Sequence, residues 1–251
     1  MTGLIDIPLI GPPLTRLLIR LSGEAEIRRM QRRKNRKGLI VALSSEDPAI
    51  RYLAVDALGG LHDPAAIPSL VRCLTGERGN DIRWKAAEAL GNLGRAAVKP
   101  LVGVLSSADE DVRWMAALAL GATRDDSAIG PLIALFSDPD RFVRGRATAA
   151  LGMIGSAAVP ALTSALTDPD PDLRWGAGVT FGIIRDPSTL PLLIHALGDP
   201  VDLVRAEILA AVAGFGAEAA ELLRTQTDSG EPARDSDIHR LLTYLEGNRL
   251  G

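Results

Sequence analysis

Aromatic side chains are scarce in this chain of 251 residues, which holds three Trp, two Tyr and four Phe. A core built on large rings is thereby excluded, and packing has to rest on small aliphatic groups. The single cysteine, Cys73, has no intramolecular partner, and three histidines without a second cysteine exclude a Cys-based zinc site. Alternating runs of β-branched residues, the mark of a half-buried strand, are few. Long apolar runs are missing too. The most apolar window, Leu4 to Leu21, is broken by Pro8, Pro12 and Pro13 and carries Asp6, Arg16 and Arg20, whereas a bilayer span needs ~20 predominantly apolar residues. It has neither a basic region ahead of it nor a small-residue cleavage site, so the expectation is a cytoplasmic protein without a secretory signal.

What the chain does have is alanine (36) and leucine (37), the residues that lose least on entering a helix. An all-α fold is predicted. Formal net charge is −3, but the charge is uneven. Arg16 to Lys37 hold nine basic and two acidic residues, which leaves −10 for the rest of the chain. So acidic a body does not suit a general nucleic-acid binder.

Self-similarity is the strongest signal. AIRYLAVDALG, DIRWKAAEALG, DVRWMAALALG, FVRGRATAALG, DLRWGAGVTFG and LVRAEILAAVA align without gaps on Arg51, Arg83, Arg113, Arg144, Arg174 and Arg205, spaced 30 to 32 residues apart. A second block follows the first five: IPSLVRCL, VKPLVGVL, IGPLIALF, VPALTSAL and LPLLIHAL. Six repeats of about 31 residues, each two helices, are predicted over 46–228. Asp47-Pro48, Asp138-Pro139, Asp168-Pro169 and Asp199-Pro200 are expected to cap and open the first helices. Gly59, Gly91, Gly121, Gly152 and Gly182 are expected to close them in the left-handed conformation. In the sixth repeat Ala213 replaces that glycine, which predicts a shifted turn.

These blocks resemble HEAT-like repeats of the phycobilisome-lyase type over roughly residues 38–225. The resemblance implies an α-solenoid, a right-handed superhelix whose first helices line one surface, commonly the binding surface. Outside the repeats, the expected organisation is an apolar extension over 1–23, a basic capping hairpin over 24–45, and a linker with a closing helix over 229–251.

On a helical wheel of 100° per residue with the repeat arginine at 0°, positions −1, +3, +4 and +7 form a core stripe, as in Val112, Ala116, Ala117 and Leu120. The arginine sits at the edge of that arc, so its charge needs a partner. Glu77, Asp138, Asp168 and Asp199 stand six residues before Arg83, Arg144, Arg174 and Arg205. We read them as a ladder joining adjacent repeats, similar to that of HEAT proteins.

Positions +1, +2, +5 and +9 are expected to form an exposed ridge. Tyr52, Trp84, Trp114 and Trp175 share register +1. Two readings stand: a recognition surface, or rings that pack on the neighbouring repeat. With Lys85 and Glu88 these rings are candidate partner-binding residues. Gly145, Gly176 and Gly178 depart from the repeat and suggest a notch bounded by Trp114, Met115, Arg146, Met153 and Trp175, open to a partner's side chain or an anionic group. For Gly178, at core position +4, close helix approach is the simpler reading. Arg28, Arg29, Arg32, Arg33, Lys34, Arg36 and Lys37 are candidates for contact with an anionic surface, or else the solvated face of a terminal hairpin.

No catalytic or metal motif accompanies the repeats. His62, His195 and His239 lie far apart and none precedes a Glu, so the paired His-Glu motifs of the HEAT-fold deoxyhypusine hydroxylases are missing. Neither a phosphate-cradling glycine loop nor a nucleophile elbow is present, and Cys73 occupies a slot held by Ala134, Ala165 and Ala196. The expectation is a cofactor-free, non-enzymatic scaffold or assembly factor that binds another protein, with no small-molecule substrate evident. Two alternatives come from resemblance: a bilin lyase or isomerase subunit, and a HEAT-like glycosylase using Trp84 and Glu88.

Overall fold

The computed structural model describes residues 23–76, 79–225 and 232–247. Glu77, the apolar segment up to residue 22 and most of the linker from Asp228 to Arg234 fall outside them. Among the described residues every regular element is a helix, and the fold is an all-α solenoid of about six two-helix repeats. The chain divides into two compact units, Met1–Thr123 and Arg124–Gly251.

The first unit opens with a hairpin of α1 (residues 23–32) and α2 (Arg36–Ala42), followed by α3 (Pro48–Gly60), α4 (Ile67–Gly76), α5 (Asn80–Asn92), α6 (Arg95–Val104) and α7 (Glu110–Thr123). In the second unit the order is α8 (Ile129–Ala134), α9 (Arg141–Ile154), α10 (Val159–Leu166), α11 (Pro171–Ile184), α12 (Leu190–His195), α13 (Asp202–Ala213), α14 (Ala217–Arg224) and α15 (Pro232–Gly247). The first helices of the repeats are α3, α5, α7, α9, α11 and α13. Their +7 residues Leu58, Leu90, Leu120, Leu151, Phe181 and Val212 are fully buried, so truncating one of the leucines to alanine costs ~2–5 kcal/mol. Most of the predicted stripe is buried with them; Leu173 and Leu209 alone are only half-buried. A second stripe escaped the wheel: Ala57, Ala89, Ala119, Ala150, Thr180 and Ala211, all at +6, are buried as well.

One helical stretch, Arg141–Leu166, is long and apolar enough to cross a membrane by length and composition. It is two helices, α9 and α10, joined by a turn at Gly155 with φ of +82°.

Helix starts follow the aspartates, two residues later than expected in two cases. Asp47 caps α3 with Pro48 in its first turn, as predicted. The caps of α9 and α11 are Asp140 and Asp170, which accept from Phe142 and Asp172 N–H. Asp138, Asp168 and Asp199 instead form the preceding turn, accepting from the N–H groups of Asp140, Asp170 and Val201. α13 begins after Val201 with no side-chain cap.

The repeat glycines do not end their helices. Gly59, Gly91, Gly121, Gly152 and Gly182 lie inside α3, α5, α7, α9 and α11. They permit close approach: a Cβ on Gly59 would fall 2.7 Å from Ala89 Cβ, one on Gly91 2.8 Å from Ala122 Cβ, and one on Gly182 3.2 Å from Ala211 Cβ. Left-handed residues come three positions later, at His62, Gly94, Arg124, Gly155, Arg185 and Gly216. Gly216 keeps that offset in the sixth repeat, so the turn after Ala213 is not shifted. Two turn chemistries share the position. After His62, Arg124 and Arg185, the aspartates Asp63, Asp125 and Asp186 cap a 3-10 turn. Gly94, Gly155 and Gly216 combine positive φ with ψ between −120° and −146°, a region essentially reserved for glycine.

Two glycine substitutions of opposite sign follow from this packing. Gly91→Ala is expected to lower stability by ~1–3 kcal/mol through overpacking against Ala119 and Ala122. Gly103→Ala in α6, where an added Cβ meets nothing within 4 Å, is expected to raise stability by up to ~1 kcal/mol through helix propensity. Urea melts of both variants check the pair.

Candidate functional site

The outer surface of the first helices divides more finely than the wheel predicted. Position +8 faces the next first helix and +6 meets it from the other side, as Gly59 and Ala89 show. The +1 side chains therefore lean toward the next helix, and Tyr52, Trp114 and Trp175 are half-buried while Trp84 is 44% exposed. Position +2 leans toward the preceding helix. There Lys85 reaches Asp56 and the ring of Tyr52, both on α3, and Met115 is 1% exposed. Met115 is thus a core residue and is withdrawn as a partner contact.

The first unit gathers five of the candidates into one cluster. The rings of Trp84 on α5 and Trp114 on α7 lie 5.7 Å apart at 36°, an offset geometry favourable to aromatic pairs. Trp114 Nε1 donates to Asp111 at 2.8 Å. Lys85 Nζ sits 5.4 Å from the Tyr52 ring centre, 2.9 Å from Glu88 and 3.4 Å from Asp56. The Glu88 hydrogen bond raises the Lys85 ammonium above its ordinary range against a smaller opposing effect of burial, with further help from Glu88, Tyr52 and Asp56 charge. Lys85 is held as a cation, unsuited to act as a base. Beside the cluster an open groove of about 1120 Å³ runs between α3 and α5, with Tyr52, Leu53, Ile82 and Trp84 on its apolar side and Glu24, Arg51 and Asp81 among its polar residues.

In the second unit the expected notch is filled from within. A Cβ on Gly176 would collide with the Phe136 ring, which is fully buried. Gly178 lies 3.3 Å, measured from an added Cβ, from Ile208 on α13. These glycines serve internal packing. Gly145 differs, since a Cβ there meets nothing within 4 Å. Arg146 and Met153 are exposed. Sequence reasoning missed Phe142, Ile183 and Leu203, which are 60%, 47% and 60% exposed. They sit at −2 and +9, on the arc between +5 and +2, and marking every apolar residue there would have found them.

The repeat arginines are committed to the fold. Arg51, Arg113, Arg144, Arg174 and Arg205 each donate from Nη1 to the main-chain carbonyl six residues earlier, at 2.7–2.9 Å. The residues six before thus hold their own arginine by a carbonyl. Of the expected ladder, Asp199 does join adjacent repeats, pairing with Arg174 at 2.6 Å, while Arg83 pairs with Asp109, a carboxylate outside the expected set, at 2.7 Å. Burial would raise the Asp109 carboxyl, but the Arg83 hydrogen bond and charge, with the Val112 and Asp111 N–H groups, hold it below the usual carboxylate range.

Cys73 is buried. Among the described residues no group of three or more His, Cys, Asp or Glu could hold a metal ion.

Breaking the cross-repeat pairs has measurable consequences. Arg174→Ala leaves the nearly buried Asp199 unpaired and frees two carbonyls, an expected loss of ~3–5 kcal/mol in a denaturant melt. The stabilisation carried by the Arg83–Asp109 pair is full above about pH 5 and is lost as pH falls through the depressed folded value, below the ~3.9 of an unpaired aspartate. The stability gap between wild type and Arg83→Met is therefore expected to narrow on acidification from pH 6 to pH 3.

No curated protein matches the sequence significantly. Among solved structures, the chain is similar to the complex of CpcE and CpcF of phycocyanin lyase from a Nostoc species (22% identity, 97% of this chain and 98% of that one, TM-score 0.43). It is also similar to human deoxyhypusine hydroxylase in complex with glycerol (21%, 92% and 99%, TM-score 0.36) and to the archaeal HEAT-like repeats protein from Thermococcus onnurineus (13%, 96% and 99%, TM-score 0.40). The family model described as HEAT repeats matches in five overlapping windows, 19–91, 36–107, 79–152, 98–178 and 131–213. With most of the chain covered, and with two-helix repeats packed through their first helices, the protein belongs to the HEAT-repeat family.

Proposed function

We propose that the protein is a non-enzymatic scaffold or assembly factor that binds another protein on the outer face of its first helices. One observation carries the reading. Of the six exposed large hydrophobic residues among the described residues, Trp84, Phe142, Met153, Ile183 and Leu203 all stand on first helices at positions −2, +1 or +9; the sixth, Tyr244, is on the closing helix α15. The second helices of the repeats, which also meet solvent, contribute none. Aromatic residues and Met are enriched at the buried centres of interfaces and are poor solvent-facing choices. In the first unit Tyr52, Trp84, Lys85, Glu88 and Trp114 form a preorganised cluster, with ring stacking and ion pairs in place before a partner arrives. In the second unit Arg146 and Trp175 accompany the apolar residues. Preorganisation lowers the entropic cost of association.

The test is capture of the partner from the native source, followed by cross-linking to locate contacts. Trp84→Ala and a Phe142→Ser/Leu203→Ser double variant are expected each to weaken partner binding by at least about 30-fold, the scale of an interface hot spot. Thermal stability should change little for the Phe142/Leu203 variant, whose side chains are mostly in water, and fall only modestly for Trp84→Ala, which also loses its contact with Trp114. Trp114→Ala is the structural contrast, expected to lower stability by ~1–3 kcal/mol through its half-buried ring and lost Asp111 hydrogen bond. Intact capture by the exposed-residue variants would sink the proposal.

A further inference from the structure

In the first unit, the ring at position +1 of one first helix leans toward the +2 side chain of the next. From α3 to α5 this pairing is complete: the Tyr52 ring receives the Lys85 ammonium at 5.4 Å, and Asp56 and Glu88 hold that ammonium at 3.4 Å and 2.9 Å. Ring, cation and carboxylates satisfy one another inside the fold. From α5 to α7 the ring is Trp84, and the residue in the register of Lys85 is Met115, which is 1% exposed. Among the described residues no cation lies over the Trp84 ring. Trp114 covers one side of it at 5.7 Å, and 44% of the residue remains in solvent.

The carboxylates are nevertheless in place. Asp81 stands three residues before Trp84 and Glu88 four after, spacings that put both beside it on α5. On α7, Asp111 accepts from Trp114 Nε1 at 2.8 Å and from Asn80 Nδ2 on α5 at 3.2 Å, which draws the start of α7, with Glu110, toward the start of α5. Asp81 and Glu110 are exposed and form no ion pair with any described residue. Besides Lys85 the cations of these two helices are Arg83, turned to Asp109, and Arg113, turned to the carbonyls of Ser107 and Ala108. The basic stretch stands apart from them, in α1, α2 and the turn between: Arg28, Arg29 and Arg36 pair with Glu24, Glu26 and Asp63, while Arg32, Arg33, Lys34 and Lys37 are exposed. The open groove between α3 and α5 has Trp84 and Asp81 in its lining together with Tyr52, Leu53 and Ile82.

We infer that the partner presents an arginine to the Trp84 ring, on a segment whose apolar side chains enter the α3–α5 groove. The inference rests on the scaffold reading and names the chemistry of the partner at that face. A guanidinium is flat, stacks on an indole and turns its N–H fork to carboxylates at the border of the ring. An acidic segment would be repelled by Asp81 and Glu110, and a purely apolar one would bury them without a partner. Tyr52 and Lys85 show the same chemistry already formed one repeat earlier.

The probes are two fluorescein-labelled decapeptides that alternate leucine with arginine or with citrulline, the uncharged isostere of arginine. Fluorescence anisotropy with the full chain is expected to show the arginine peptide binding at least about tenfold more tightly than the citrulline peptide, and more weakly as salt is raised. Trp84→Ala and Asp81→Asn/Glu110→Gln are each expected to lower that affinity by about fivefold. The carboxylate variant keeps the readout independent of folding, because neither side chain is paired to a described residue. Asp172→Asn/Glu218→Gln removes the same charge from exposed positions of the second unit and is expected to leave binding unchanged. Absence of binding, equal affinity for the two peptides, insensitivity to Trp84→Ala, or the same loss from both carboxylate pairs would each overturn the inference. Partner capture keeps the two readings distinguishable: if the peptide results fail while capture still depends on Phe142 and Leu203, the arginine falls and the scaffold stands.

Discussion

The contact between first helices at their small residues sets the geometry on which the other interactions depend. Gly59 against Ala89, Gly91 against Ala119 and Ala122, and Gly182 against Ala211 leave no room for a further methyl group. With the backbones this close, side chains one repeat apart come within bonding range. Trp84 then stacks on Trp114, Lys85 reaches Tyr52 and Asp56, and Arg83 and Arg174 reach the carboxylates of the next repeat. A larger residue at position +8 would push these pairs apart together. The scarcity of aromatics in the sequence is the compositional side of the same constraint, because the seam sets small residues where helices touch, mostly glycine and alanine, and where isoleucine enters, as Ile183 and Ile208 do, it faces a glycine.

The second constraint is the arginine bound to a main-chain carbonyl. In five of the six repeats it ties the start of the first helix to the turn that precedes it, and spends on the backbone a charge that would otherwise have to be hydrated. A row of arginines at constant spacing resembles a phosphate track in sequence. In the folded chain their guanidinium groups are turned inward, and the outer face is left to the side chains at −2, +1, +5 and +9.

How much of this was legible depended on whether side chains or backbone carried the information. The core stripe could be read because it is a side-chain pattern with the period of the helix, and Ile82, Ala86, Ala87 and Leu90 are buried as expected. Carbonyl acceptors leave no trace in sequence, so the arginines' bonds to the preceding turn went unread, whereas the side-chain rung of Asp199 on Arg174 was legible as part of the ladder. The Ala-Leu-Gly ending was mistaken for a helix stop because glycine serves both at a left-handed terminus and at a crowded contact, and one sequence cannot tell them apart. The left-handed position did have a signal in Asp63, Asp125 and Asp186, each following a left-handed residue and starting a 3-10 turn. Met115 was misplaced for a geometric reason: position +2 lies opposite the core on an isolated helix but against the preceding helix in a stack.

Departures from a repeat separate function from packing only after their neighbours are known. Gly176 looked like a vacancy, yet Phe136 stands where the other second-helix blocks have Leu74, Leu105, Leu166 and Leu197, and its ring fills the space. The two departures explain each other and need no partner. Phe142 and Leu203 are different. At position −2 the other repeats carry Ala49, Asp81, Asp111 and Asp172, and an acid in the first turn is favoured by the helix dipole. Replacing it with an apolar side chain that remains 60% exposed sacrifices that stabilisation and gains little burial. The Arg141 guanidinium, 5.0 Å from the Phe142 ring centre, covers it only in part. A cost that recurs in two repeats without a return inside the fold is what a partner contact would repay, so Phe142 and Leu203 support the proposed binding face more directly than the partly packed tryptophans do.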